Sequence, residues 1–328
     1  MTDPYIVGWA HSAFGKSEAP DTEALMAEVT GPALAHAGVE AEDVDGIFVG
    51  VFNNGFSDQD FQGALVGMGN EALARVPATR YENACATGSA ALHGAMDFIA
   101  SGRGKIALVV GAEKMTATPG AEVGDILLGA SYRAEEAGVG GGFAGLFGQI
   151  AGSYFQRYGD QSEALAMIAA KNHHNGMQNP LAHMQRDFDV AFCNTVSEKN
   201  PLVAGPLRRT ASGLTLDDLS LVETHDCFTV AELLEYEAMG LTEPGQGSRA
   251  IREGWTAKDG RLPVNPSGGL KSKGHPIGAT GVSMHVMAAM QLMGEAGGMQ
   301  IPDAELAGVF NMGGAAVASY ASILERVA

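Results

Sequence analysis

Val76-Pro-Ala-Thr-Arg-Tyr-Glu-Asn-Ala-Cys85-Ala-Thr-Gly-Ser-Ala-Ala91 reads as a short strand, a tight turn and the start of a helix built from small residues. Cys85 stands at that helix start. A thiol there faces unpaired backbone N–H groups and the positive end of the helix dipole, and both favour the thiolate. Free cysteine is also among the most buried residue types, so plain packing is the competing reading. A second stretch decides between them: Asn265-Pro-Ser-Gly-Gly-Leu-Lys-Ser-Lys-Gly-His275-Pro-Ile-Gly-Ala-Thr-Gly281. Another small-residue helix is predicted after it, from about Gly278 to Met293, so His275 also stands just before a helix. Ala86-Thr87-Gly88 and Ala279-Thr280-Gly281 match residue for residue. A cysteine and a histidine on two related turns suit nucleophilic catalysis, in which one attacks and the other takes the proton.

The paired turns belong to a longer internal repeat. Gly104-Lys-Ile-Ala-Leu-Val-Val-Gly-Ala112 follows the first helix and Glu305-Leu-Ala-Gly-Val-Phe-Asn-Met-Gly-Gly314 follows the second, each fitting a buried strand. Upstream, Gly38-Val-Glu-Ala-Glu-Asp-Val-Asp-Gly-Ile-Phe-Val49 resembles Gly213-Leu-Thr-Leu-Asp-Asp-Leu-Ser-Leu-Val-Glu-Thr224. Strands alternating with helices predict an α/β fold with helix-covered sheets. The copies are unequal. The first carries a strand, Tyr5 to Trp9, and an amphipathic helix, Thr22 to Ala37. The second carries only Asn200 to Ser212, whose two prolines and short length cannot supply a strand and a crossover helix. A segment is missing from the second half near residues 209–213, and the strand Leu219 to Thr224 is expected to border a gap.

Residues 118–200 interrupt the repeat. Gly138-Val-Gly-Gly-Gly-Phe-Ala-Gly-Leu-Phe-Gly148 lacks the Lys-Ser/Thr of a phosphate loop and suits close helix packing or a mobile loop. Gln149 to His174 reads as helical. His173, His174 and His183 have no Cys or carboxylate completing a known ligand spacing, so no metal site is expected.

Composition narrows the classes further. The 328 residues suffice for two core-sized units and an insertion. A formal charge of −18 argues against nucleic-acid binding, although Lys199, Arg208, Arg209, Lys271 and Lys273 flank the candidate loops and could meet an anionic substrate. No apolar run approaches membrane-spanning length, and the N-terminus lacks a secretory pattern. The 3 cysteines suit a reducing compartment, so a cytoplasmic location is expected.

Asn83-Ala-Cys-Ala-Thr-Gly-Ser89, His225-Asp-Cys-Phe228, Gly274-His-Pro-Ile-Gly-Ala-Thr-Gly281 and Asn311-Met-Gly-Gly314 occur in this order on the repeats. Together they make the chain resemble the thiolase superfamily over nearly its whole length, and specifically the sterol carrier protein-type thiolases. The resemblance implies a layered α-β-α-β-α fold: an N-terminal half (1–117), an inserted loop domain (118–200) and a shortened C-terminal half (201–328). It implies that Cys85 is the acylated nucleophile and His275 its activating base. Most thiolases place an acid/base cysteine where this chain has Asn311. The resembled subclass draws it instead from the His225–Phe228 loop, so Cys227 inherits the role; its place where a strand enters the helix Val230 to Met239 agrees. Cys193 has no such setting. By the same resemblance His225 and His275 serve one oxyanion, and the N–H groups of Cys85 and Gly313 the other.

The implied activity is thiolysis of 3-ketoacyl-CoA, or Claisen condensation of acyl-CoAs, with coenzyme A thioesters as substrates and no bound cofactor. A homodimer or homotetramer is implied, and a lipid-carrier protein partner is a further candidate. A decarboxylating ketoacyl synthase would use a Cys-His-His site, against which Cys227 speaks. An inactive relative that binds acyl-CoA or a partner protein is the reading from a different class, supported by the shortening.

Overall fold

The computed structural model describes residues 3–195 and 216–327. The expected bare connection at Arg208 to Ser212 lies outside them, as do Lys199, Arg208 and Arg209. In chain order the principal elements are α1 (Thr22–Ala37), β1 (Gly46–Gly50), β2 (Ala78–Tyr81), α2 (Thr87–Ala100), β3 (Ala107–Gly111), α3 (Gly120–Leu127), α4 (Gly142–Tyr158) and α5 (Ser162–Gly176). There follow β4 (Leu221–Thr224), α6 (Thr229–Met239), α7 (Gly269–Lys273), α8 (Ile277–Met293), β5 (Leu306–Gly313) and β6 (Ala318–Glu325).

The chain forms two compact units. The first gathers Met1–Ala130 with His275–Val286 and Asn311–Tyr320; the second holds Ser131–Gly274, Met287–Phe310 and Ala321–Ala328.

In the first unit β1 is the central strand, parallel to β2 and to β3, with Ile47 opposite both Ala78 and Leu108. Alternation along β1 sends Ile47 and Val49 to one face and Phe48 to the other. Ile47 and Val49 join Met26 and Leu34 of α1, with Leu108 and Val110, in one core. Phe48 joins Ala91 and Ala95 of α2 in another. Asp21 caps α1 through the Ala24 N–H, and Gly38 ends it at φ 64.

The expected strand Tyr5 to Trp9 does not form. Trp9 N donates to His36 Nδ1 (3.0 Å), and the Trp9 and His36 rings meet edge to face. A Cβ on Gly8 would meet Ala37 N at 2.5 Å. The segment is therefore docked on the end of α1, leaving Tyr5 and Val7 more than 60 % exposed (62% and 64%). An apolar alternation makes a strand only where a sheet edge accepts its ladder.

In the second unit β4 runs parallel to β5, Leu221 opposite Ala307, and β6 lies beyond β5. Among the described residues the expected gap beside β4 is absent. On its other side Val222 N donates to Pro263 O (2.9 Å), Asn265 N donates to Val222 O (2.8 Å), and Thr224 N donates to Asn265 Oδ1 (2.8 Å). β4 thus finds acceptors and donors along both edges, as buried backbone requires. Its Val222 packs with Tyr154 of α4, Ile168 of α5, Leu233 and Tyr236 of α6, and Val264.

The stretch Gln149 to His174 is helical as read, in two pieces, α4 and α5, separated at Gly159 (φ 84). The glycine-rich stretch before it runs into α4: Gly142 opens that helix, and a Cβ on Gly145 would collide with Gly140 O. Among the described residues no helix is long and apolar enough to cross a membrane.

Candidate active site

Cys85 sits in a turn between β2 and α2 that is bent by Ala84 in the left-handed region (φ 48). A non-glycine residue there is uncommon and costs energy. Thr87 holds the turn, accepting from Asn83 N (2.7 Å) and donating to Ala84 O (2.6 Å). Asn311 holds it from the other side: Nδ2 donates to Cys85 O (3.1 Å), and Oδ1 accepts from Ser89 Oγ (2.8 Å). The residue that replaces the usual cysteine is thus a clamp on the nucleophile's backbone, a role that sequence reading missed.

The Cys85 thiol is 3% exposed, packed with Phe52, Phe56 and Ile277 and bordered by Met115, Ile126 and Leu127. Burial pushes its pKa up to about 12, although the N–H groups of Gly314 and of Cys85 itself pull it down. The expectation of a helix-lowered pKa is therefore corrected. The helix start does supply donors, but the loss of water around a charged sulfur outweighs them. At pH 8 roughly one molecule in ten thousand would carry the thiolate unaided.

A ring nitrogen of His275 lies within 4.8 Å of Cys85 Sγ. Thr280 Oγ1 donates to Pro276 O (3.0 Å) and stands 2.7 Å from His275 Nδ1. With its proton committed to Pro276, the hydroxyl offers His275 a lone pair. Nδ1 is therefore assigned the hydrogen and Nε2 the basic lone pair.

This proximity depends on glycines at equivalent repeat positions. A Cβ on Gly88 would meet Val282 N at 2.6 Å and Gly281 N at 2.9 Å; one on Gly281 would meet Asn311 Oδ1 and Ser89 Oγ at 2.5 Å. α2 and the start of α8 therefore cross backbone to backbone. The Gly313–Gly314 loop approaches the Cys85 turn in the same way, a Cβ on Gly313 meeting Asn83 O at 2.5 Å. The first unit thus brings Cys85, His275 and Gly313 together.

The second unit holds His225 and Cys227 where β4 runs out ahead of α6, with His225 fully buried and Cys227 partly so. Asp226 between them is buried. Its carboxylate accepts from Leu270 N (2.5 Å), Lys271 N (3.1 Å) and Asn172 Nδ2 (2.8 Å), tying the loop to α7 and α5. Burial, with the charge of Glu232 next, raises the Asp226 pKa to about 7. Below it Lys171 pairs with Glu232. Lys273 is also buried, 3.9 Å from Glu223, and so does not face an anionic substrate as its place in the loop had suggested. Cys193 is partly buried on a short helical turn, its pKa raised mainly by burial. His173 packs edge-on against Phe188, and His174 pairs with Asp187 (3.1 Å).

Parallel sheets with helices, and a cysteine and a histidine each set just ahead of a helix, define the class as an α/β fold carrying a Cys–His pair. Residues 5–222 match the family "Thiolase, N-terminal domain", and residues 195–326 match "Thiolase C-terminal domain-like". The chain belongs to the thiolase family. It is 31% identical over 390 residues to an acetyl-CoA acetyltransferase of Methanothermobacter thermautotrophicus, with 99% of this chain and 100% of the relative covered. Human sterol carrier protein 2 is 29% identical over 384 residues, covering 94% of this chain and 69% of that protein. The solved Ltp2-ChsH2(DUF35) aldolase shares the fold, with a TM-score of 0.75 at 18% identity over 98% of this chain and 97% of the other. The first alignment bears on the shortening. Of its 390 positions this chain fills about 325 (99% of 328), so about 65 face a gap (390 − 325).

Proposed function

We propose that the protein is a thiolase-type acyltransferase that works through an acyl group on Cys85. The observation carrying this reading is the pairing of buried Cys85 with partly buried His275, with Thr280 orienting the imidazole. His275 Nε2 takes the thiol proton as Cys85 Sγ attacks the thioester carbonyl. The resulting oxyanion meets the N–H groups of Cys85 and Gly313. Collapse expels the coenzyme A thiolate, which recovers the proton from His275, and acyl-Cys85 remains. In the synthetic direction the Cys227 thiolate then removes a proton from the α-carbon of a second acetyl-CoA. That carbon attacks acyl-Cys85, forming 3-ketoacyl-CoA and expelling the Cys85 thiolate, which regains its proton as Cys227 gives up the one it took. Thiolysis is the reverse. His225 would steady the enolate oxygen of the second substrate, and no bound cofactor takes part.

The similarity to acetyl-CoA acetyltransferases supports acetyl-CoA as a substrate. A homo-oligomer and a cytoplasmic location remain part of the proposal. So does a separate partner, which the pairing of Ltp2 with ChsH2(DUF35) in the aldolase and the name sterol carrier protein 2 both support. A second reading, a weak or inactive thiolase-like binder, is favoured by the gap of about 65 positions and by the thiol's pKa of about 12. Incubation with acetyl-CoA followed by peptide mass spectrometry separates the two. An acetyl group on Cys85 with turnover of acetoacetyl-CoA is expected. Label on Cys193 or Cys227 with Cys85 bare would sink the mechanism, and labelled Cys85 without turnover would favour the binder.

A further inference from the structure

Glu113 follows β3 by two residues and is buried, yet no step above uses it. A carboxylate in such a place needs strong donors to be tolerated. It has two from distant parts of the chain. Its Oε2 accepts from Phe52 N (2.8 Å), just past β1, and from Gly278 N (3.1 Å), in the first turn of α8. Gly278 N is one of the helix-start N–H groups that have no intrahelical acceptor. α8 is 17 residues long, and a negative group at such an N-terminus is favoured by the dipole.

The surrounding backbone makes this seat narrow. A Cβ on Gly278 would meet Ala112 O at 2.6 Å and Gly50 O at 2.7 Å, so the first turn of α8 rests on the ends of β1 and β3. Arg80 grips the same strand end from the other side, donating to Val51 O and Phe52 O. Phe52 is thereby fixed at its N–H by a carboxylate and at its C=O by a guanidinium. His275 lies three residues before Gly278, and its Thr280 partner lies two after.

We propose that Glu113 is a positioning residue for His275: its carboxylate bolts the first turn of α8 to the end of β1 and so sets the imbdazole-bearing turn against Cys85. The effect on catalysis rests on the reading of Cys85 and His275 as nucleophile and base. The seat itself does not. Burial mainly sets the resistance of the Cys85 thiol to ionisation, and the Glu113 charge adds to it.

The test is a double-mutant cycle read by single-turnover acetylation of Cys85 with acetyl-CoA. Glu113→Ala should slow acetylation at least about tenfold, since misplacing a reacting group by a fraction of an ångström is costly. Glu113→Gln keeps an oxygen acceptor and should lose less than Ala. In the His275→Ala background, Glu113→Ala should slow acetylation no further, because its effect acts through His275. In parallel, hydrogen exchange at the Gly278 amide should speed up in Glu113→Ala and remain slow in Glu113→Gln. If Glu113→Ala does not fold, Glu113→Asp, one methylene shorter, should give the same slowing and faster exchange. Wild-type acetylation and wild-type exchange in a folded Ala or Asp variant would overturn the proposal. So would losses that multiply with His275→Ala. If wild type itself fails to acetylate Cys85, the functional reading falls, and the exchange at Gly278 still decides the seat.

Discussion

Gly88→Ala tests whether the backbone crossing of α2 and α8 is what brings Cys85 and His275 together. The new methyl would stand 2.6 Å from Val282 N, 2.9 Å from Gly281 N and 3.0 Å from Gly278 O. Ordinary contact begins at 3.4 Å, so the helices must part by at least 0.8 Å (3.4 − 2.6). All three neighbours are backbone atoms and cannot rotate away. Overpacking of this kind costs about 1–3 kcal/mol, and three rigid contacts argue for the upper end. Alanine is intrinsically the better helix former by about 1 kcal/mol, which offsets part of the cost. A net loss of about 2 kcal/mol should lower the melting temperature by roughly 4–8 °C. Gly124→Ala is the control, because it lies inside α3 with nothing within 4 Å of its Cβ position. It should leave the melting temperature unchanged or raise it slightly. The same separation should slow Cys85 acetylation on the order of a hundredfold, the scale of an ångström-sized misplacement. Thermal melts and single-turnover acetylation of both variants provide the measurement. A Gly88→Ala protein that melts with wild type and acetylates at its rate would refute the reasoning.

Other outcomes follow from the site. Cys227→Ala should still acetylate Cys85 yet lose condensation and thiolysis; normal turnover would remove Cys227 from its role. Alkylation of Cys85 by iodoacetamide should keep accelerating through pH 9 and beyond, as a pKa of about 12 requires, and a plateau below pH 8 would contradict it. Asn311→Ala removes both clamps on a buried turn and should cost about 1–3 kcal/mol, read as a lower melting temperature; no change would make the clamp idle. Burial raises the Glu113 carboxyl from 4.5 to about 7, so the folded state holds its proton longer than the unfolded chain does. Its ionisation therefore withdraws stability as pH rises from 4.5 to about 7, by at most ~3 kcal/mol. Glu113→Gln should lessen the fall in melting temperature across that window, and an identical pH profile would refute the assignment.

What the sequence made legible was local. The repeat was readable because its turns need particular residues: Ala-Thr-Gly after Cys85 and after His275 marks helices that must cross closely, as Gly88 and Gly281 do. β1 and β3 stood out as apolar runs, and α1 forms over the span expected for it, Thr22–Ala37. What escaped was set by tertiary partners. Tyr5 to Trp9 alternates like a strand, but its neighbour is the end of α1 and not a sheet edge. The pKa of Cys85 depends on Phe52, Phe56 and Ile277, and no reading of the turn alone could weigh them against the helix start. Glu113 and Asp226 did leave a trace, as single carboxylates beside apolar strand ends, where a charge must find buried donors or not be there.

The shortening shows the same division. The unequal repeats point to it, and this chain leaves about 65 of the 390 positions aligned with the Methanothermobacter relative unfilled. Its cost could not be read that way. A missing strand is expensive when it leaves edges bare, but β4 bonds directly to β5 on one side and to Pro263–Asn265 on the other. The ladder closes over the loss, and Asn265 fills the remaining donor at Thr224 N with its side chain. Within this unit the hydrogen-bonding objection to a shortened thiolase therefore falls away.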